Sequence, residues 1–488
     1  MNLKHSNKFF LLLIAIVMVT VSCSSNNSES EAPKLLVSET EVSFEPEGGT
    51  LEIAISTNDT WKITNSAAWL QLNPTMGNAG EGVIALTLAI NETGVTRSVI
   101  LNVTSDNGQA RRITVSQGAH LYPSYNVAPL APDATGMGSN AVVIASKMTL
   151  GWNIGNTFEA PGGETGWGSP VITEDFIKFV KQQGFNTIRI PCAWDWHHVA
   201  DPATARIDPD WLNRVKEVVG YCVDNDVYAL LNIHWDGGWL DANINKKMQD
   251  SVNAKQKAYW EQIATAMRDF DDHLLFAGSN EPPAHDAEEM EVLLSYHQTF
   301  VDAVRSTGGR NSYRTLVVQG PSTDIDNTYN LMNTLPTDEI PGRMMVEVHY
   351  YTPFQFCLMD GDASWGSMFY YWGEGNHSII EPGRKATWGE EDAVDEYFGK
   401  MKTKFVDKGF PVIMGEYGAY RRDNSQNVPQ DLEAHNNSVD HWITYVTRQA
   451  LANGMIPYWW DTGGALDRSN NTVKDQRTID ALITVVAN

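Results

Sequence analysis

Two apolar runs in this chain end in a glutamate: Phe276-Ala-Gly-Ser-Asn-Glu281 and Pro411-Val-Ile-Met-Gly-Glu416. Carboxylic acids at the ends of two buried strands can face each other across a cleft and divide the work of acetal hydrolysis. One protonates the leaving oxygen while the other attacks the anomeric carbon, and the first then acts as base on water. That division needs carboxyls about 5–5.5 Å apart and unlike in acidity. Arg189, in Thr187-Ile-Arg-Ile190, supplies a cation that can hold Glu416 ionised. Asn280 can hydrogen-bond a sugar 2-hydroxyl. Trp152-Asn153, Asn232-Ile-His234-Trp235, His349-Tyr-Tyr351 and Trp459-Trp460-Asp461 close apolar runs in the same way. A lone strand-end His or Glu is commonly a loop contact, but the set as a whole asks for one architecture that gathers strand ends.

From about residue 146, apolar runs alternate with helical patterns. The runs are Met148–Ile154, Thr187–Trp194, Tyr228–Trp235, Leu274–Asn280, Thr315–Gly320, Met344–Tyr350, Pro411–Tyr417 and Ile456–Asp461. Between them lie the periodic segments Glu174–Gln183, Trp211–Val223, Ala254–Phe270, Met290–Arg305, Val394–Lys408 and Val439–Ala452, and Thr478–Val486 follows the last run. This alternation predicts an α/β fold, a (β/α)8 TIM barrel, whose chemistry sits at the C-terminal ends of its strands. Carboxylates ending strands four and seven then face each other across the barrel mouth.

The ordered motifs Gly151-Trp-Asn-Ile-Gly-Asn156, Ile188-Arg-Ile-Pro191, Asn232-Ile-His234, Asn280-Glu-Pro282, His349-Tyr-Tyr351, Gly415-Glu-Tyr417 and Trp460-Asp461 resemble glycoside hydrolase family 5, the cellulase-rich family of retaining clan A enzymes. The resemblance implies that Glu281 is the acid/base and Glu416 the nucleophile. It makes Arg189, His234, Asn280, His349 and Tyr351 the active-site support and Trp460 the sugar platform, with Trp459 turned outward by strand alternation. Asn153 and Trp239 complete the expected substrate-binding set. Two departures touch the sugar-binding rim: Trp235 stands where many members have a second histidine, and strand four approaches through Ala277-Gly-Ser279 rather than a glutamate-containing run.

Trp167, Trp194, Trp196, Trp239, Trp365, Trp372 and Trp388 fall in predicted βα loops, where aromatic faces suit pyranose rings; roughly half are expected to be core. The implied activity is a retaining endo-β-1,4-glucanase acting on cellulose, mixed-linkage glucan or xyloglucan. An endo-β-mannanase of the same family is the alternative, and a noncatalytic glycan-binding lipoprotein is the rival from another class.

Residues 35–120 read differently. Short alternating stretches such as Thr50-Leu-Glu-Ile-Ala-Ile55, Val83–Leu88, Ser98–Val103 and Arg112–Val115, parted by Gly48-Gly49 and Asn107-Gly108, predict an immunoglobulin-like β-sandwich domain. Gly48-Gly49, Trp61 and Trp69, Arg97 and the closing Ile113-Thr-Val-Ser-Gln117 resemble the BACON domain. A spacer with both tryptophans packed in its core is preferred to a carbohydrate binder. Residues 121–138 are the expected linker and 139–488 the hydrolase domain.

The chain has 488 residues and a formal charge of −25 with no basic block, which argues against nucleic acid or an anionic membrane surface and for a neutral polysaccharide partner. Lys4, Lys8, the apolar run Phe9–Val21 and Ser22-Cys23 have the layout of a signal peptide over 1–22. Cys23 resembles a bacterial lipoprotein acylation site, with 23–34 as tether. The expectation is an outer-membrane or cell-surface lipoprotein, a monomer touching the membrane only through its lipid, with a secreted or periplasmic protein as the alternative. Cys192, Cys222 and Cys357 are read as buried free thiols. His234 and Asp236 lack a third ligand at metal spacing, so neither metal nor cofactor is expected.

Overall fold

A computed structural model describes residues 32–91, 96–119, 121–196, 198–423 and 426–486, and the chain divides into two compact units. Cys23 and the expected signal peptide lie outside the described residues. Among the described residues no helix is long and apolar enough to cross a membrane.

The larger unit is a closed barrel of eight parallel strands paired in sequential order. Strands one to eight are Gly151–Asn153, Thr187–Ile190, Tyr228–Asn232, Leu274–Ala277, Leu316–Gln319, Met344–Tyr350, Val412–Tyr417 and Met455–Trp459. Each overlaps one expected run. Most stop before the last polar residues, so Asn280, Glu281 and Trp460 stand just past the strand ends, where the backbone is free to aim them. The seven expected helices are present with shifted ends. Asp208 caps Pro209–Asp224 by accepting from the Asp210 N–H, with Pro209 in the first turn where its missing N–H costs nothing. Asp286 caps Ala287–Ser306 through the N–H groups of Glu288 and Glu289. The helices Ala141–Lys147 and Ile325–Leu331 were not expected, since about two turns are too short to show a period.

Alternation along the strands separates two apolar layers. Ile188, Leu231, Phe276, Val318, Val346, Val348, Val412 and Met414 pack toward the helices. Leu230, Leu275, Ala277, Val317, Met345, Ile413 and Ile456 fill the barrel, and Ala141, Ile144 and Met148 plug its N-terminal end. Above this plug the interior turns polar: Asn153, Arg189, Asn232, Gln319 and Glu347 are each 0% exposed. This polar layer is the floor of the site. Cys192, Cys222 and Cys357 are free and buried.

The smaller unit is a sandwich of a four-stranded and a five-stranded sheet. Its edge strands Leu35–Val37 and Met76–Gly77 were not foreseen, because two or three residues carry no alternation. Ile53, Ile55, Trp61, Ile84, Leu86, Leu101, Val103, Ile113 and Val115 form the core. Trp61 is thus a core residue, and half-buried Trp69 carries the Arg97 guanidinium 4.6 Å above its ring. Trp61 lies in the core as expected, whereas Trp69 only packs against it.

Residues 121–138 are not a free linker. Glu261, on the helix Gln249–Met267, accepts from Ser124 Oγ at 3.0 Å and from the N–H groups of Tyr125 and Asn126 at 2.6 and 3.2 Å. Tyr122 and Tyr125 pack on the barrel's outer apolar layer, which binds the segment to the barrel unit. Proline and glycine content suggested a linker; the aromatic residues between them decide otherwise.

Candidate active site

Strand seven owes its glutamate's direction to a bulge. Val348 pairs with Met414 but the next residue, His349, pairs with Glu416, so Gly415 is an extra residue on strand seven. Strict alternation would put Glu416 on the side of Met414, facing the helices. The extra residue turns it into the barrel mouth. Gly415 also has to be glycine, because a Cβ there would lie 2.0 Å from Glu347 Oε1.

Glu416 is nearly buried, and both of its oxygens accept hydrogen bonds. Arg189 Nη1 donates to Oε1 at 2.8 Å and the Tyr351 hydroxyl donates to Oε2 at 3.1 Å. Burial pushes the Glu416 carboxyl above its ordinary value, while His349 and Arg189 pull it back. Two donors, one on each oxygen, favour the ionised carboxylate. Burial keeps the Tyr351 phenol protonated, its pKa pushed far up.

Arg189 is fully buried and distributes its guanidinium over four partners. Besides Glu416, it donates from Nη2 to Asn280 Oδ1 at 2.8 Å and from Nη1 to Asn153 Oδ1 at 3.1 Å, and its Nε lies 3.0 Å from Glu347 Oε1. Asn280 therefore keeps its amide NH2 as a donor. Asn153, expected to bind substrate, is 0% exposed and spends its NH2 on the Gly415 carbonyl at 2.9 Å. Its place is under Arg189 rather than on the cleft surface.

Glu281 stands after strand four with its side chain 46% exposed. Its Oε1 accepts from His349 Nδ1 at 2.7 Å. One carboxylate oxygen of Glu281, one of Glu416 and a ring nitrogen of His349 lie within 4.8 Å of one another. His349 faces three carboxylates, and although burial opposes its charge, Glu416, Glu281 and Glu347 raise it to about 9. At neutral pH it is imidazolium. Glu281 sits below the ordinary carboxylate value: burial pushes it up, but the hydrogen bond and charge of His349, with the Arg189 charge and the Thr323 hydroxyl, together outweigh that. In the open cleft the acidities are therefore opposite to those an acid Glu281 and a nucleophile Glu416 require. A sugar covering the exposed part of Glu281 would raise its proton affinity, and the His349 Nδ1 proton is one hydrogen bond away.

His234 stacks parallel to Trp460 at 5.9 Å, and burial with the Arg189 charge keeps it neutral. Trp459 faces the outer layer, edge-on to Tyr417 at 5.4 Å. Trp239, an expected sugar contact, donates its indole N–H to Asp236 at 2.8 Å and packs edge-on against Tyr259. Of the loop tryptophans, Trp194 and Trp372 are fully buried, whereas Trp167, Trp365 and Trp388 are exposed. Trp235 is half-exposed and packs edge-on against Trp196.

The Ala277-Gly278-Ser279 approach has a structural reason. Ala277 joins the interior plug, a Cβ on Gly278 would lie 2.9 Å from the Phe300 ring, and Ser279 donates from its N–H and hydroxyl to Gln319 Oε1 at 2.9 and 3.0 Å. Gln319 and Glu347 escaped the sequence reading. The signal available was a glutamate two residues before His349, hence on the same strand face. Among the described residues, two groups bring three ligand atoms close enough for a metal: Asp271, Asp272 and His273, and Glu281, His349 and Glu416.

A (β/α)8 barrel with two carboxylates this close at the ends of strands four and seven has the constellation of a retaining glycoside hydrolase. The family profile of cellulase (glycosyl hydrolase family 5) matches residues 153–465, and that of the viral BACON domain matches 34–120. The chain belongs to glycoside hydrolase family 5. It is 32% identical over 473 residues to the xyloglucan-specific endo-β-1,4-glucanase BoGH5A of Bacteroides ovatus, covering 93% of this chain and 91% of that one. The structure of a Bacteroides ovatus GH5 xyloglucanase in complex with a XXXG heptasaccharide superposes with a TM-score of 0.68 at 31% identity, over 93% of this chain and 100% of the other. XEG5B, a xyloglucan-specific β-1,4-glucanase from a ruminal metagenomic library, gives a TM-score of 0.66 at 40% identity, over 72% of this chain and 96% of its own.

Proposed function

We propose that this protein is a retaining endo-β-1,4-glucanase whose preferred substrate is the xyloglucan backbone. The observation that carries the reading is the proximity of Glu281 and Glu416, with carboxylate oxygens within 4.8 Å; that spacing suits double displacement and leaves too little room for the water an inverting enzyme places between its carboxyls. Glu416 attacks the anomeric carbon as the carboxylate held by Arg189 and Tyr351. Glu281 delivers a proton to the departing oxygen and takes one from water in the second step. Asn280, its oxygen engaged by Arg189, offers its NH2 to the sugar 2-hydroxyl, a contact that strengthens in the transition state. Trp460, stacked near His234, gives the ring an apolar platform.

The choice of xyloglucan is supported by the similar proteins named above and by the exposed Trp167, Trp365 and Trp388. Purified protein should show its highest kcat/KM on xyloglucan when compared with carboxymethylcellulose, mixed-linkage glucan and glucomannan. Activity confined to mannan would sink the reading. The N-terminal pattern ending in Cys23 supports a surface lipoprotein. Expression in a Bacteroidota-type host fed a palmitate analogue should label the wild type and not Cys23→Ala; an unlabelled wild type removes the anchor.

A further inference from the structure

Glu347 is a carboxylate inside the barrel that the reaction as described does not use. It is 0% exposed and sits on strand six, two residues below His349 on the same face. Burying a charge is costly unless it is paired and hydrogen-bonded, and Glu347 is both. Its Oε1 lies 3.0 Å from Arg189 Nε and 3.2 Å from His349 Nε2, and its Oε2 accepts from Gln319 Nε2 at 2.6 Å. Gln319 cannot turn its amide over without losing Ser279, whose N–H and hydroxyl both donate to its oxygen. On the far side, Gly415 keeps clear the space that any side chain would take from Glu347.

Both cations that Glu347 holds reach a reacting carboxylate with their other end. Arg189 continues to Glu416 and His349 continues to Glu281. We propose that Glu347 is a positioning residue of the hydrolysis, a buried anion that fixes the Arg189 and His349 cations against the nucleophile and the acid/base at once. Without its charge, the His349 Nε2–H points at a weaker acceptor and the ring is free to turn its Nδ1 away from Glu281. The groups facing His349 are Glu281, Glu416 and Glu347, with the cation Arg189, neutral His234 and the phenol of Tyr351 nearby. Removing one of three anions from that set lowers the pH at which the imidazolium gives up its proton.

The inference rests on the glucanase reading for its rates but not for its spectroscopy. Glu347→Gln keeps the volume and removes the charge. Its kcat is expected to fall roughly 10- to 100-fold with KM within about twofold, since proton transfer is impaired and sugar contacts are not. The alkaline limb of kcat/KM should move toward lower pH. Histidine-15N NMR of the substrate-free protein should show His349 as imidazolium at pH 7 in the wild type and titrating at lower pH in the variant. A rate loss with an unmoved alkaline limb would mark a merely structural role and overturn the proposal, as would a His349 titration indifferent to the substitution. Should the variant not fold, the wild-type titration decides: a neutral His349 at pH 7 overturns it. A wild type that cleaves no β-glucan, with the NMR shift nevertheless present, would defeat the glucanase reading and leave the Glu347–His349 coupling standing.

Discussion

Glu416→Ala is expected to cleave aryl cello- or xyloglucan-oligosaccharides roughly 10⁴- to 10⁶-fold more slowly than wild type, the order seen when an enzyme loses its nucleophile. The fold should survive the loss. Arg189 would keep Glu347 at 3.0 Å, so no buried charge is orphaned. The cavity left between Arg189 and Tyr351 suits a small anion, and azide should restore cleavage while giving the glycosyl azide of inverted configuration. Stopped assays with and without azide, with NMR of the product anomer, check this. Unchanged hydrolysis, or an azide product of retained configuration, would remove Glu416 from the nucleophile's place.

Glu281→Ala separates the two steps. On polymer, where the leaving group needs a proton, kcat should fall roughly 10²- to 10⁴-fold. On a dinitrophenyl glycoside, whose leaving group needs none, the first step should stay near wild type, and the glycosyl-enzyme should accumulate for want of a base. Azide then attacks that intermediate and yields the retained product, opposite to Glu416→Ala. The pH profile supplies an independent sign. Glu416 must be ionised, and burial raises its carboxyl, so wild-type activity falls as pH drops through that raised value. The acid proton belongs to the Glu281–His349 pair, and His349 is raised to about 9, so activity also falls as pH rises toward that value. With Glu281 gone and a dinitrophenyl substrate, the alkaline limb should vanish from the first step. A slow burst with the limb intact would assign the acid elsewhere. Because Glu281 is half-exposed and lies past its strand, its truncation costs little stability.

Much of this molecule was legible in one dimension. Eight apolar runs in βα alternation sufficed for the barrel because a parallel strand buried on both faces reads as a continuous hydrophobic stretch, and a crossover helix reads as a period. The same logic placed Arg189, His234, Asn280, Glu281, His349, Tyr351, Glu416 and Trp460 near the C-terminal strand ends. Short elements were not legible, since Leu35–Val37, Met76–Gly77 and Ala141–Lys147 hold too few residues to repeat anything. One expected substrate contact turned out to be spent elsewhere, since Asn153 supports Arg189 from below; Trp239 has its indole N–H tied to Asp236 but stays part-exposed.

The sequence by itself determined the fold class, the two units and the chemical inventory, because periodicity and residue type are local properties. Only the tertiary structure decided which way the inventory points. Whether Glu416 faces the cleft depends on one extra residue, Gly415, in a register that strand seven takes only against its neighbours, strands six and eight. Whether Glu281 holds its proton depends on His349, and His349 on Glu347, across a barrel floor whose contacts join residues more than a hundred positions apart, such as Arg189 with Glu347. Acidity is set by burial and by neighbouring charge, and neither is a property of a residue's place in the chain.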